Sequence, residues 1–288
     1  SMLCAAQKTT KTEKKEYDLK FNLNKYISKE TEINGQKIKY RAYENIVYVK
    51  NPIDKEYQNM NIYIPEEYFN NSSIGSYNSD NAPIFFPNTV GGYMPGKADT
   101  VGLGRDGKAN SLTYALSKGY VVAAPGARGR TLTDNKGNYT GKAPAAIVDL
   151  KAAVRYLYLN DEVMPGDANK IISNGTSAGG ALSALLGATG NSQDYLPYLQ
   201  EIGAADTRDD IFAVSAYCPI TNLENADSAY EWMYNGVNSY SRMEFTRNTS
   251  AQEYNDRTIT RSTVQGNLSD EEIEISNKLK TLFPTYLN

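Results

Sequence analysis

Histidine is absent from all 288 residues. With it goes the side chain that most often accepts a proton near neutral pH and most often binds zinc. The commonest zinc constellations are therefore excluded, and neither a metal nor an organic cofactor is implied. Cysteine is scarce as well. Cys4 lies in a polar N-terminal stretch and Cys218 ends an apolar run, a separation that offers neither a disulfide nor a metal spacing. Cys218 reads as core packing. Basic charge is not in excess: a net charge of −3 gives no reason to expect nucleic acid as a partner. No apolar run is long enough to span a membrane. What is present, 40% hydrophobic and 22% charged residues, suits a globular chain long enough for one α/β domain with insertions.

Against these absences stands Asn174-Gly175-Thr176-Ser177-Ala178-Gly179-Gly180. Gly-x-Ser-x-Gly is the nucleophile elbow of α/β-hydrolases, a strand-to-helix turn that holds the serine in strained geometry with Oγ exposed. The flanks agree with it. Residues 170–173 are β-prone, residues 181–186 are strongly helix-prone, and Gly175 and Gly179 let strand and helix approach. The plainer alternative is a small-residue turn whose serine only caps a helix.

The rest of the chain follows α/β grammar. Residues 1–20 read as a flexible tail, in which Leu3-Cys4-Ala5-Ala6-Gln7 resembles the small-residue end of a signal peptide, Cys4 being a lipoprotein-type variant. Export to the cell surface or medium is the expectation, with a cytoplasmic location left open. Residues 21–220 form the core. Asn45–Val49 and Met60–Pro65 predict antiparallel starting strands, and residues 82–87, 119–125, 170–173 and 211–217 predict sheet strands. Helices are predicted over 109–118, closed by Gly119, and over 143–160, where Ile147, Leu150, Val154 and Leu157 keep helical spacing. Residues 221–288 start an inserted lid, with a helical patch at 226–234 and an amphipathic helix capped by Ser269 and Glu272. No further β-rich run is expected there. The last strands of the mostly parallel sheet are therefore missing from this chain.

A serine nucleophile needs a base. Lys142 and Lys170 are the in-chain candidates, neither in a hydrolase base position. Glu224 and Asp227 read as acids of a triad or as solvated lid residues. The oxyanion hole needs two backbone N–H groups. Ala178 follows the nucleophile, and Gly92 lies in the Gly91-Gly92 loop after the 82–87 strand. Arg128 and Arg130 sit at the carboxyl edge of the 119–125 strand, where α/β ligands bind. Either arginine holds an anionic or phenolic group or braces the loop through Asp106 or Asp134.

Several blocks in one order closely resemble bacterial tannases (tannin acylhydrolases): Pro87-Asn88-Thr89-Val90-Gly91-Gly92-Tyr93-Met94-Pro95-Gly96, Arg128-Gly129-Arg130-Thr131, residues 143–149, residues 165–181, residues 209–220 and Ala229-Tyr230-Glu231-Trp232. The resemblance implies a serine carboxylic ester hydrolase that cleaves galloyl esters and depsides through an acyl-enzyme. Ser177 would be the nucleophile, with Ala178 and Gly92 as oxyanion donors. It also implies that the triad Asp and His lie beyond the lid, in a C-terminal segment outside this chain. A second polypeptide from the same precursor is then the expected partner, beside the phenolic ester itself. A shortened chain and a pseudoenzyme are the competing explanations. The alternative functions are a feruloyl or other phenolic-ester esterase and a non-catalytic phenolic-ligand module.

Overall fold

The computed structural model describes residues 16–247 and 259–288. Seven strands form one sheet: β1 (Ile27–Ile33), β2 (Gln36–Val47), β3 (Asn59–Pro65), β4 (Ile84–Pro87), β5 (Val121–Pro125), β6 (Ile171–Thr176) and β7 (Ala213–Tyr217), in the order β1-β2-β3-β5-β4-β6-β7. The first three strands and the β3/β5 pair are antiparallel; β5/β4, β4/β6 and β6/β7 are parallel. This is the expected α/β-hydrolase architecture, a mixed sheet with flanking helices.

Side-chain alternation splits the core between the two faces of the sheet. Ile62, Ile64, Val121 and Ala123 pack with Ile147, Leu150 and Val154 of α2 (Ala145–Leu159) and with Leu182 and Leu186 of α3 (Ala178–Ala188). Tyr63, Val122 and Ala124 face the other way, onto Leu112 and Leu116 of α1 (Ser111–Ser117). Local signals fix α1: the Asn110 side chain accepts the Thr113 N–H at 3.0 Å, and Gly119 follows the helix at φ +83°. Strand order then places the site. From β4 the chain crosses through α1 to β5 on one side, and from β5 it crosses through α2 to β6 on the other. The loops after β4 and β6 therefore meet at a topological switch point, where α/β folds bind ligands.

Four expectations need correction. The packed chain starts before residue 21: Tyr17 N–H donates to the Lys50 carbonyl at 3.0 Å, Leu19 is buried, and Asn160 clasps the backbone of Leu19 and Phe21. The earlier tail, including Cys4 and the leader-like stretch, lies outside the described residues. The strand expected at 45–49 is the end of a longer one, β2, whose pairing with β3 shifts between Tyr43 and Ile46, where Asn45 turns left-handed at φ +60°. The segment expected to start a lid, residues 221–288, carries strands after all. Between α5 (Ala226–Tyr234) and α6 (Asp270–Leu287), β8 (Ser239–Arg247) and β9 (Ile259–Asn267) pair as an antiparallel ribbon. Cys218 follows β7, an edge strand among the described residues, and is exposed, at φ +42°.

The predicted capping box of α6 is present, with Ser269 Oγ accepting the Glu272 N–H at 3.3 Å and the Glu272 carboxylate accepting the Ser269 N–H at 2.8 Å. α6 packs on α5 through Trp232 and Phe283, whose ring centroids lie 5.5 Å apart. Among the described residues no helix is long and apolar enough to cross a membrane.

Candidate active site

Ser177 sits where β6 ends and α3 begins, at φ +59° and ψ −121°. A non-glycine residue at positive φ is strained and persists only where its surroundings over-determine it. Here they do. Ser177 N–H donates to the Tyr217 carbonyl at 3.0 Å, while its own carbonyl accepts from Ala181 at 3.0 Å and Ile220 at 3.4 Å. The flanking glycines are obligatory. A Cβ on Gly175 would lie 2.2 Å from the Gly179 oxygen, and one on Gly179 would lie 2.6 Å from Asn88 Oδ1. The serine side chain makes no cap bond to α3, so the helix-cap alternative does not describe it. Ala178 is the first residue of α3, and an N–H there has no intrahelical acceptor.

The loop after β4 is fastened to this elbow by Asn88. Its amide Nδ2 reaches the carbonyls of Asn174 and Gly179 and Ser183 Oγ, each at 3.1 Å, and its Oδ1 accepts the Val90 N–H at 3.3 Å. Sequence reasoning passed over Asn88. Its signal was the Asn at the head of the Gly-rich loop, directly after a strand. Beyond it, Met94 N–H closes a turn onto the Gly91 carbonyl at 3.0 Å, with both central residues left-handed, Gly92 at φ +57° and Tyr93 at φ +55°.

Arg128 is not available to a substrate. It is buried, and its backbone N–H, Nε and Nη2 all donate to Asp149 at 2.8–3.2 Å, while Nη1 donates to the Thr140 carbonyl at 3.0 Å. Burial works against the guanidinium charge, and the neighbouring Asp149 carboxylate more than offsets this, holding the Arg128 pKa above its ordinary value. Gln58 completes the Asp149 shell at 2.9 Å. The expected partners, Asp106 and Asp134, are replaced by an acid on α2. The brace reading of Arg128 holds with a different partner.

Arg130 is exposed and differently placed. Its backbone N–H donates to the Tyr93 carbonyl and its Nε to the Gly92 carbonyl, both at 2.8 Å. It also lines a cavity of about 420 Å³ with Tyr93, Pro144, Ile147, Leu182, Tyr195 and Leu223. Burial raises the Tyr93 pKa above its ordinary value.

A second buried network went unread in the sequence. Asp209 accepts from Lys151 Nζ, Arg155 Nε and the Asn191 N–H, each at 2.8 Å, and so pins the lead-in of β7 to α2. Buried charges survive only when paired in this way.

Of the in-chain bases, Lys170 fails on geometry. Lys170 precedes β6 and pairs with Asp167 at 2.8 Å, a strand length of about 20 Å from the serine end. Lys142 lies over the Tyr139 ring at 3.8 Å. Glu224 and Asp227 are exposed on the segment that follows β7.

Known proteins agree with this geometry. The chain is 92% identical to the tannase of Fusobacterium nucleatum over 95% of its own length, with a TM-score of 0.89, and covers 57% of that enzyme's chain. It is 46% identical to the tannase of Lactobacillus plantarum, covering 94% of this chain and 57% of that one at a TM-score of 0.86. A tannin acyl hydrolase in complex with ethyl gallate matches at 46% identity, with coverage of 94% and 56% and a TM-score of 0.81. The chain thus spans a little over half the length of these solved relatives. No curated protein sequence matches it. The expected likeness to bacterial tannases is borne out. The BD-FAE family model matches residues 91–265, more than half of the sequence and inclusive of both the Gly91-Gly92 turn and the elbow, so the chain belongs to the BD-FAE family.

Proposed function

We propose that this chain is the serine-bearing part of a tannase-type ester hydrolase acting on galloyl esters and depsides. Ser177 Oγ attacks the ester carbonyl, the alcohol or phenol leaves, and water releases a gallate-like acid from the acyl-enzyme. The N–H groups of Ala178 and Gly92 stabilise the oxyanion. Ser177 gives up its proton to a histidine oriented by an aspartate, and both residues come from a segment outside this chain. One observation carries the reading: a left-handed serine locked between two glycines that tolerate no Cβ, at the carboxyl end of a switch-point strand.

The bare edge of β7 supports a complementary segment as partner. Phe212 is 70% exposed and Tyr217 59%, an apolar margin that another strand would cover. Export remains part of the proposal, resting on the leader-like residues near Cys4.

Methyl gallate hydrolysis by this chain together with its complementary segment tests the proposal. Turnover should vanish in Ser177→Ala, and a variant that retains full turnover would sink it. Relative rates on methyl gallate and methyl ferulate separate the feruloyl alternative. The lack of histidine favours one second reading, a phenolic-ligand module that binds gallate esters without turnover even when complemented.

A further inference from the structure

We infer that Arg130 is a positioning residue for the oxyanion turn, acting through the hydrogen bond from Nε to the Gly92 carbonyl rather than by holding an anionic group of the substrate. The inference rests on the serine-esterase reading above. Its observations are the turn and what holds it.

The 91–94 turn places two consecutive residues at positive φ, and the second is tyrosine, for which that region is costly. Isolated, such a turn would relax. Three hydrogen bonds fix its three peptide planes. Met94 N–H holds the Gly91 carbonyl at 3.0 Å, Arg130 Nε holds the Gly92 carbonyl at 2.8 Å, and Arg130 N–H holds the Tyr93 carbonyl at 2.8 Å. In a trans peptide the C=O and N–H point oppositely. With the Gly91 carbonyl turned inward onto Met94, the Gly92 N–H is directed out of the turn, as an oxyanion donor must be. Arg130 therefore supplies two of the three restraints on the turn that carries this donor.

The frame behind Arg130 is rigid. Two residues earlier Arg128 is locked to Asp149, and Ala127 exchanges backbone hydrogen bonds with Gly96 at 2.8 and 3.0 Å. Between Arg128 and Arg130, a Cβ on Gly129 would fall 2.1 Å from Pro95 N. The segment 126–130 thus grips both limbs of the loop, while Asn88 fastens its root to the elbow.

Two substitutions separate positioning from charge recognition. Gln carries an amide nitrogen where Arg carries Nε, so Arg130→Gln keeps the donor and loses the charge. Arg130→Met loses both. On methyl gallate, in the enzyme completed by its histidine-bearing segment, Arg130→Met should lower kcat roughly 10- to 100-fold with KM changed less than about 3-fold. Arg130→Gln should restore most of that kcat. Equal losses in both variants carried by KM, or no loss in either, would overturn the inference.

A second readout needs no turnover. In the 288-residue chain, ¹⁵N relaxation at Gly92 and Tyr93 should report a loosened turn in Arg130→Met and a fixed one in Arg130→Gln, with the Ser177 amide unchanged. A turn equally rigid in both variants overturns the clamp. If the completed wild-type enzyme shows no Ser177-dependent turnover, the esterase reading falls instead, and the relaxation data alone decide the clamp.

Discussion

β5 and β7 are both five-residue strands rich in apolar or small side chains, Val-Val-Ala-Ala-Pro and Ala-Val-Ser-Ala-Tyr, yet every residue of β5 is buried and none of β7 is. β5 has β3 and β4 as neighbours and core clusters on both faces. β7 has β6 on one side and α3 against one face. Burial in a sheet is thus a property of the neighbours, and composition states only which strands tolerate it. The same contrast separates the two kinds of polar group. Toward β5 and α2, charges are buried and paired; beyond β7, they sit in solvent and contribute little.

The comparison can be strained from its strongest side to its weakest. Val122→Lys would bury an unpartnered ammonium at a position with 0% exposure, costing more than about 4 kcal/mol, and should leave no cooperative urea transition. Asp149→Ala, which strands the buried Arg128 guanidinium, should cost about 3–5 kcal/mol in the same titration. Beyond β7, Ser269→Ala removes the α6 cap and should cost about 1 kcal/mol. That loss should be read in amide exchange of α6 rather than in the unfolding midpoint. Phe212→Lys at the bare edge should change stability by no more than about 0.5 kcal/mol. It should lower self-association in sedimentation, since a lysine blunts an open strand edge. A Phe212→Lys variant as unstable as Asp149→Ala would show that the edge is covered within this chain, and the comparison would fail.

The parts legible in the sequence were those written in short windows. The elbow needs seven consecutive residues, the α6 cap four, and the α1 stop a single glycine, and each is where it was expected. Long-range pairings left no such trace. Asp149 lies 21 positions from Arg128, and Asp209 lies 58 from Lys151. On a helix with apolar residues at 147, 150, 154 and 157, the intervening charges read as a solvated face; α2 is in fact buried nearly all round. The ribbon was missed because residues 239–242, Ser-Tyr-Ser-Arg, show no apolar alternation, and its pairing is with its own return strand. Cys218 was misread because an apolar run was taken for a buried one. The Asp149 partner of Arg128 was not legible, because a position at the carboxyl edge of a strand says nothing about which way a side chain turns.

Ser177 is joined to the turn that follows β7 at both ends of its backbone, through its N–H to Tyr217 and its carbonyl to Ile220. Ser177 is therefore one rung of the ladder that also carries the open edge. Linkage between the two is reciprocal. A strand that pairs with β7 more tightly when this rung is intact holds the serine in place by the same factor, and an acyl group that disturbs the rung loosens the strand in equal measure. Pairing at the β7 edge and ligand binding at Ser177 then share one free-energy coupling, measurable from either end.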